Sequence, residues 1–463
     1  MVRTRIAPSP TGKDVHVGTV TTGLMNYAWA KKNNGQFVIR IEDTDQSRIV
    51  PGGEKKMLDT LNKIGLVADE SPIVGGQYAS YRQSERLSIY KKYAQELIDK
   101  GAAYFCTCTP VRLDEMRKKQ QAEKKVPKYD RFCLHRQEEI KKEIASGKKY
   151  VIRLLMPEKD IIFDDIVRGK ITINGTNLDD QVLLKSDGFP TYHLAVVVDD
   201  YLMKITHIIR GEEWMPSTPK HIVLYQAFGW ELPIFAHVSL LRNKDKSKLS
   251  KRKNPVWTSD YLEQGIIPEA LLNYLALMGW SHPEGKDIFT LDEYIKLFNI
   301  KDLQTTAPVF DPVKLEWMNG MYIREMRMEN LELRISQYVG DKYSRNLIKK
   351  TIPIIRERIK KFSEYLPLCE FFFQSPTIYE VPLENKNNFF KNVYEKLSTI
   401  SDWRALVIGE NLVNLAKEIN VKNSEFFMLL RVAITGKKIS PPLNDSMEIL
   451  GKDECLNRIK KLS

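Results

Sequence analysis

The alternation of apolar and polar positions predicts an α/β region at the start of the chain. A short apolar run from Val2 to Ala7 is typical of a buried strand, and the breaker-rich segment from Pro8 to Gly12 predicts a turn. A helical pattern follows from about Val17 to Asn33, and a second strand is predicted from Gln36 to Ile41. Strand, loop, helix, strand and a further helix is the order in which a doubly wound nucleotide-binding fold begins.

The pattern changes twice further along the chain. From Tyr104 to about Lys185 it contains cysteines, many lysines and short strand-like runs, which we interpret as an insertion into the α/β fold. The α/β pattern resumes near Thr191, becomes mostly helical after Lys253, and predicts helices only from about Arg324. The chain is long for a single core, so we expect a multidomain protein, α/β plus all-α. The predicted segments are residues 1–103 and 189–244 for the two halves of the α/β domain, 104–188 for the insertion, 245–323 for a mainly helical linking domain and 324–463 for an all-helical C-terminal domain.

Composition excludes wholesale disorder and a membrane-spanning class. Of 463 residues, 43% are hydrophobic and 28% are charged, which is normal for a globular protein. Met1 to Ile6 lacks the apolar region of a secretory signal, and no apolar run approaches the length that crosses a bilayer, so we expect a cytoplasmic protein without a membrane partner. The formal net charge of +12 suits a polyanionic partner such as RNA, although a merely basic protein explains it equally well.

The first chemical motif is a loop between the first predicted strand and the first helix. It includes His16-Val-Gly18-Thr19 and lies where α/β folds bind ligands, at the carboxyl end of a strand. A helix N-terminus favours an anion, Gly18 lets a nucleotide approach the backbone, and His16 can donate to phosphate oxygens. The alternative is a proline- and glycine-rich loop with an incidental histidine, and the motif alone does not decide between them.

The second motif is a basic loop, Lys248-Leu-Ser-Lys251-Arg252. Lysine ammonium groups suit phosphate oxygens, so Lys248 and Lys251 are candidates to hold a triphosphate and to neutralise the departing pyrophosphate. Alone, this motif is better explained as a solvated basic loop.

Together the two motifs resemble those of class I aminoacyl-tRNA synthetases. The first stands where that class carries His-Ile-Gly-His, with Thr19 in place of the last histidine, and the second stands where it carries Lys-Met-Ser-Lys-Ser. Longer stretches resemble the bacterial-type glutamyl-tRNA synthetases, almost continuously from Val2 to about Arg324. These stretches are Arg3 to Gly12, Arg40 to Asp45, Tyr81 to Ser84, Leu183 to His193, Arg210 to Trp214 and Trp317 to Gly320.

This resemblance implies a domain plan and a reaction. The α/β region corresponds to a Rossmann-like catalytic domain, residues 104–188 to an acceptor-arm domain, 245–323 to a stem-contact domain and 324–463 to an anticodon-binding domain. The implied reaction activates L-glutamate with ATP and Mg²⁺, then transfers it to tRNA(Glu). Charging of tRNA(Gln) is left open, and we expect a monomer.

A dicarboxylic amino acid requires cationic donors and one anion. Arg5 and Arg210 offer guanidinium forks for carboxylates, and Glu42 offers a charge for the ammonium group. By resemblance, Arg5 and Tyr192 hold the side-chain carboxylate, Arg210 holds the α-carboxylate, and Ser9 and Glu42 hold the amino group. Without the resemblance, a solvated turn with a helix N-cap is the better explanation of Glu42, and a structural salt bridge is the better explanation of Arg210.

The resemblance also implies the ATP contacts. Glu213 and Trp214 are expected near the adenosine, and Val196 stands where some relatives carry an asparagine that contacts glutamate. That polar contact is therefore absent here or supplied from elsewhere. The complete set of expected ATP-binding residues is His16, Gly18, Thr19, Glu213, Trp214, Lys248 and Lys251, with His16, Gly18, Lys248 and Lys251 also catalytic.

The predicted insertion carries a candidate structural zinc site. Cys106, Cys108, Cys133 and His135 have the ligand types of a closed tetrahedral site. Some glutamyl-tRNA synthetases carry the same pattern, and a tyrosine matching Tyr129 lies near their metal, so the fourth ligand is His135 or Tyr129. The alternative is four unrelated residues in a lysine-rich linker.

Basic residues predict two RNA contacts. The segment from Arg117 to Lys128 lies beside the cysteines and suits the acceptor arm, while Arg356 and Arg358 are candidates for reading the anticodon. Two alternatives are a non-catalytic tRNA-binding paralogue and an enzyme that glutamylates a modified tRNA base. Others are a small-molecule nucleotidyltransferase and glutaminyl-tRNA synthetase, which ends in β-barrels. The intact motifs and the long helical C-terminal part argue against these four.

Overall fold

The computed structural model describes residues 1–249 and 255–463. They form two compact units, one comprising Met1–Asp260 and Leu271–Asp311, the other Tyr261–Ala270 and Pro312–Ser463. The division into five domains stays a prediction.

The first part of the chain alternates strands and helices. Up to Asp99 the elements are β1 (Arg3–Ile6), α1 (Val17–Lys32), β2 (Gln36–Ile39), α2 (Gly53–Lys63) and α3 (Leu87–Asp99). The next are β3 (Ala103–Cys106), α4 (Pro110–Ala122), α5 (Gln137–Ala145), β4 (Val151–Leu154), β5 (Asp160–Asp165), β6 (Gly169–Asn174) and β7 (Val182–Leu184). After these come α6 (Tyr192–Leu202), β8 (His207–Gly211), α7 (Thr218–Phe228), β9 (Ile234–Val238), α8 (Thr258–Glu263), α9 (Pro268–Ala276) and α10 (Leu291–Leu297).

Parallel strand pairs define the edge that carries the candidate site. β1 pairs with β2 from Arg3↔Gln36 to Ile6↔Ile39, and β8 pairs with β9 from His207↔Ile234 to Gly211↔Val238. The backbone N–H of Thr206, just before β8, donates to the carbonyl of Arg3 at 2.9 Å, which joins the two pairs. The carboxyl ends of β1 and β8 therefore lie side by side, at the edge where open α/β sheets bind ligands.

The β8–β9 sheet continues into a hairpin from the predicted insertion. Its strand order is β6-β5-β9-β8, with β5 and β6 antiparallel and β5 joined to β9 in parallel at Asp165↔Phe235. The strands β3, β4 and β7 form a separate antiparallel sheet. In the lysine-rich stretch, where the sequence pattern predicts no helix, α4 begins at a Thr109 cap that accepts a hydrogen bond from the N–H of Arg112.

One hydrophobic core of the first unit surrounds α6. Residues 194–200 of this helix are all buried, which explains why the apolar run there shows no amphipathic period. The core residues packed around α6 come chiefly from α3, α7 and the nearby strands.

The second unit is helical. Its elements are α11 (Pro312–Glu325), α12 (Met328–Val339), α13 (Arg345–Ile355), α14 (Tyr365–Cys369), α15 (Asn387–Thr399), α16 (Ala405–Glu418), α17 (Asn423–Thr435), α18 (Leu443–Leu450) and α19 (Lys452–Lys460). Cys369 and Cys455 are buried thiols in its cores. Within the described part of the chain, none of the helices has the length and hydrophobicity needed to span a bilayer.

Candidate active site

A pocket of about 530 Å³ opens at the carboxyl ends of β1 and β8, beside the N-terminus of α1. The structure brings together there the predicted substrate residues of its described part. They are Arg5, Ser9, His16, Gly18, Thr19, Glu42, Tyr192, Arg210, Glu213, Trp214 and Lys248. Lys251 lies outside the described residues, as does the rest of the basic loop from 250 to 254.

His16 and Gly18 form the entrance to α1. The ring Nδ1 of His16 accepts the backbone N–H of Gly18 at 2.9 Å and caps the helix. In a neutral ring this leaves the proton on Nε2. A Cβ atom at residue 18 would lie only 3.1 Å from Nδ1 of His16. A glycine at this position therefore leaves room for the imidazole ring that caps the helix.

Arg5 is buried and ion-paired within the fold. Its Nε and Nη2 each donate to Asp200 of α6 at 3.1 Å. Arg40, which follows β2, donates to the same carboxylate at 2.8 Å. Burial lowers the pKa of Arg5, but Asp200 outweighs it and leaves that pKa above its ordinary value. The Nη1 atom of Arg5 has no acceptor among residues 1–249 and 255–463.

Glu42 is a nearly buried carboxylate on the pocket wall. Its side chain is 13% exposed and accepts a hydrogen bond from Nη2 of Arg40 at 3.2 Å. Burial raises the pKa of Glu42 to about 7, because the nearby arginines offset only part of the desolvation.

Arg210, in β8, has only neutral partners. Its Nε donates to Nε2 of His237 at 3.1 Å, and its Nη2 donates to the hydroxyl of Thr218 at 2.8 Å. Its Nη1 lies 3.2 Å from both the Tyr192 hydroxyl and Nδ1 of His221. In the described part of the chain no carboxylate pairs with Arg210, and burial lowers its pKa. The pocket thus contains one buried cation whose charge the described fold does not neutralise.

The histidines beside Arg210 are neutral. Nε2 of His221 lies 3.2 Å from Nδ1 of His193. Burial, together with Lys220 and Arg210, lowers the pKa of His193 to about 3, and burial holds the pKa of His221 well below its ordinary value. Neutral rings can accept hydrogen bonds from Arg210 without neutralising it.

Aromatic rings form another wall. The ring centroids of Tyr192 and Trp214 lie 4.3 Å apart, and Trp214 is 38% exposed. Glu213 is exposed beside it. An open indole face of this kind suits a stacked purine base.

Gln83 lines the pocket but was not predicted. Its Nε2 donates to Asp199 at 3.0 Å, while its buried Oε1 has no partner in the described residues. Val196 is fully buried in α6 and does not line the pocket, so an acceptor for a substrate donor is better sought at Gln83 than at residue 196.

Sequence reasoning missed the groups that hold the pocket side chains in place. They are Arg40, Gln83, Asp199, Asp200, Thr218, His221 and His237. The sequence did contain one indication of these groups. Asp199 and Asp200 end a wholly apolar run, and two carboxylates buried with such a run need cationic partners.

The three predicted cysteine ligands lie together. The sulfur atoms of Cys106, Cys108 and Cys133 are within 4.8 Å of one another. The Tyr129 hydroxyl lies 3.4 Å from the sulfur of Cys106 and 3.3 Å from that of Cys108. His135 is exposed and is not part of the cluster. Of the two candidate fourth ligands, Tyr129 is therefore the one that lies beside the cysteines.

The predicted anticodon arginines differ in setting. Arg356 donates to the carbonyl of Met326 at 2.9 Å, which ties its guanidinium into the fold, whereas Arg358 is exposed. Of the two, only Arg358 presents its side chain openly to solvent.

Comparisons with known proteins identify the family of this chain. Residues 1–317 match the family described as tRNA synthetases class I (E and Q), catalytic domain, and residues 324–463 match the family described as anticodon binding domain. The chain is 44% identical to the glutamate--tRNA ligase of Acinetobacter baumannii (strain SDF), over 99% of this chain and 93% of the relative. It is 42% identical to that of Acidothermus cellulolyticus (strain ATCC 43068 / DSM 8971 / 11B), over 99% and 95%.

A solved structure is similar over the whole chain. It is a glutamate tRNA ligase from Elizabethkingia meningosepticum CCUG26117 in complex with its amino acid. It is 37% identical with a TM-score of 0.87, and the match covers 100% of this chain and 99% of that one.

Proposed function

The chain belongs to the class I tRNA synthetase family for glutamate and glutamine, and on that premise we propose which of its residues bind glutamate, ATP and tRNA. Its enzymatic activity is the ligation of L-glutamate to tRNA, with ATP as the second substrate. The products are glutamyl-tRNA, AMP and diphosphate. The steps and the residue roles below are our proposal.

Glutamate lies between Arg5 and Arg210. Arg210 binds the α-carboxylate, whose negative charge neutralises the guanidinium that the described fold leaves uncompensated. The side-chain carboxylate accepts from Nη1 of Arg5 and from the Tyr192 hydroxyl, and the ammonium group faces Glu42 and Ser9. Glutamine lacks the second negative charge, which makes Arg5 the group that discriminates against it.

ATP lies along the loop that precedes α1. The α-carboxylate attacks the α-phosphorus, and the bond to diphosphate breaks. His16 donates to phosphate oxygens through Nε2, and Lys248 and Lys251 neutralise the leaving diphosphate. Mg²⁺ enters with the phosphates, and the base stacks on Trp214 beside Glu213. A terminal ribose hydroxyl of tRNA then attacks the adenylate and releases AMP.

The cysteine cluster fits a structural Zn²⁺. Three thiols within 4.8 Å of one another, and a phenol 3.3–3.4 Å from two of them, lie close enough to share one ion and supply four ligands, a closed set with no open position for chemistry. The ligands would be Cys106, Cys108, Cys133 and Tyr129, and the metal would hold β3 to the segment before α5.

Metal content tests this cluster. We expect about one zinc per chain by elemental analysis of the purified protein, and loss of that zinc in Cys108→Ser. Cys369→Ser, a buried thiol elsewhere in the chain, should retain it. Tyr129→Phe should lower zinc affinity more than His135→Ala, and the reverse order would make His135 the fourth ligand.

The C-terminal helices bind the anticodon, with Arg358 as a contact residue and Arg356 as its support. The basic segment from Arg117 to Lys128 follows the acceptor arm, the enzyme acts as a monomer, and tRNA(Gln) is a second candidate acceptor.

The observation that carries the proposal is the uncompensated charge of Arg210, and aminoacylation tests it. Purified enzyme is supplied with ATP, Mg²⁺ and labelled glutamate, glutamine or aspartate, together with tRNA(Glu), tRNA(Gln) or tRNA(Asp). We expect acid-precipitable label only with glutamate, and on tRNA(Glu). Charging with glutamine at a similar rate would contradict the assignment of the two arginines, while label on tRNA(Gln) would show relaxed acceptor specificity.

A further inference from the structure

Asp165 lies in the hairpin within the predicted insertion and is linked to the pocket through other side chains. It is the last residue of β5 and is buried. Its carboxylate accepts the backbone N–H groups of Val167 at 3.0 Å, Arg168 at 2.9 Å and His237 at 3.0 Å. Its Oδ2 also lies 2.6 Å from the ring Nδ1 of His237. All these partners are donors, so the carboxylate is fixed in position from several sides.

This contact determines which nitrogen of His237 carries the proton. Burial raises the pKa of Asp165, but the hydrogen bonds from His237 and the backbone outweigh it and leave that pKa low. An ionised carboxylate only accepts, so Nδ1 of His237 must be the donor. Burial lowers the pKa of His237, and a neutral ring protonated at Nδ1 presents a lone pair on Nε2.

That lone pair faces Arg210, and the hydroxyl of Thr218 lies 3.1 Å from the same nitrogen. The Nε–H of Arg210 points at Nε2 of His237 at 3.1 Å, and an arginine N–H can never act as an acceptor. The other tautomer of His237 would set two N–H groups against each other at this distance. The hydrogen bonds that link Asp165, His237 and Arg210 therefore have fixed donors and acceptors. His237 donates to Asp165 and accepts from Arg210.

We propose that Asp165 and His237 are positioning residues for substrate binding, which fix the orientation of the Arg210 guanidinium toward the α-carboxylate of glutamate. The inference rests on the proposed role of Arg210. Neither residue lines the pocket, and each acts through Arg210. The described partners of Arg210 occupy four of its five N–H groups, which leaves one Nη2–H for the α-carboxylate. A rotated guanidinium would turn this donor away from the substrate, and affinity would fall while the charge stays in place.

Two substitutions at His237 separate positioning from packing. The amide of glutamine reaches about as far as Nε2 of histidine and can accept from Arg210, whereas the amide of asparagine reaches only the Nδ1 position. We expect His237→Asn to raise KM for glutamate about tenfold, the scale of losing one hydrogen bond to a charged group. His237→Gln should stay within about threefold of the unchanged protein. KM for ATP should not change in either.

Asp165→Asn tests the other end of the chain. An amide can donate to Nδ1 and so stabilise the wrong tautomer of His237, and we expect KM for glutamate to rise by about tenfold. Glu70→Gln is the matched control, since Glu70 is equally buried and pairs with Arg3 at 3.0 Å away from the pocket. It should lower thermal stability and leave KM for glutamate unchanged.

The double variant Arg210→Met/His237→Asn shows whether His237 acts through Arg210. KM for glutamate should be no higher than in Arg210→Met alone. An additive increase overturns the inference, as do equal effects of His237→Asn and His237→Gln, or an unchanged KM in Asp165→Asn. If Arg210→Met itself leaves KM for glutamate unchanged, the proposed role of Arg210 fails instead.

Discussion

The two arginines that line the pocket occupy opposite electrostatic surroundings. Arg5 and Arg210 are both buried, at 4% and 6% exposure, and each is held by hydrogen bonds. Arg5 pairs with Asp200, which leaves its pKa raised, whereas the partners of Arg210 are neutral and burial lowers its pKa. One guanidinium is therefore part of a satisfied ion network, and the other is a cation for which the described fold supplies no counterion.

This difference in charge compensation makes the pocket complementary to a dicarboxylic amino acid. The charged side chains around Arg5 balance, three arginines against three carboxylates: Arg5, Arg40, Arg86, Asp199, Asp200 and Glu42. Arg210 then adds one positive charge. Glutamate carries two carboxylates and one ammonium group, a net charge of −1, so its arrival neutralises the set.

The largest expected effect follows from removing the cation without a counterion. Arg210→Met keeps much of the side-chain volume but removes the charge. We expect kcat/KM for glutamate to fall by about 100-fold or more, the scale of losing one partner of a buried charge pair. Removal of a buried charge without a counterion offsets the loss of its hydrogen bonds to neutral partners, so the urea midpoint of unfolding should change little. A small kinetic effect would place the α-carboxylate elsewhere.

The same substitution at the paired arginine should behave differently. Arg5→Met removes two hydrogen bonds from Asp200 and leaves that buried carboxylate with Arg40 as its remaining ion-pair partner. We expect a loss of about 2 kcal/mol in the free energy of unfolding, measured with urea, in addition to weaker glutamate binding. Equal stability of Arg5→Met and Arg210→Met would remove the contrast between the two sites.

Glu42 adds a pH dependence to the balanced network. Its pKa is raised to about 7, so the carboxylate that faces the ammonium group is present above that pH and is lost as the pH falls through it. Between pH 8 and pH 6 the ionised fraction falls about tenfold, and KM for glutamate should rise by the same factor. Glu42→Gln should raise KM at pH 8 and abolish the dependence. A flat profile in the unchanged protein would mean that Glu42 does not bind the ammonium group.

The residues that face the pocket could be predicted from the sequence. His16 caps the helix that follows β1 and Arg210 lies near the end of β8, and both belong to motifs; the carboxyl ends of parallel strands and the helices that follow them meet at one edge of the sheet. The first helix, predicted from Val17 to Asn33, ends at Lys32 because Asn33 is its cap. These features depend on local pattern, which a single sequence contains.

The supporting partners depend on how distant segments pack, which local pattern does not record. Asp165 lies 72 positions from His237, in a hairpin that looked like part of an insertion, and only the β5–β9 pairing brings them together. In the cysteine cluster, spacing indicated His135 as the fourth ligand, and only the resemblance added Tyr129 as an alternative. The path of the chain turns the tyrosine inward and leaves the histidine exposed.

The smallest expected effect concerns the hydroxyl that accepts from Arg210. Thr218→Val keeps the shape of a fully buried side chain and removes the hydroxyl that lies 2.8 Å from Nη2 of Arg210 and 3.1 Å from Nε2 of His237. We expect KM for glutamate to rise about fivefold, the worth of one hydrogen bond of roughly 1 kcal/mol, with kcat unchanged. Thr351→Val removes a fully buried hydroxyl of the helical unit, bonded to Tyr365 at 2.8 Å, and should lower stability alone. If Thr218→Val left KM unchanged, the other neutral acceptors would suffice to orient Arg210, and the contrast with Arg5 would rest on charge alone.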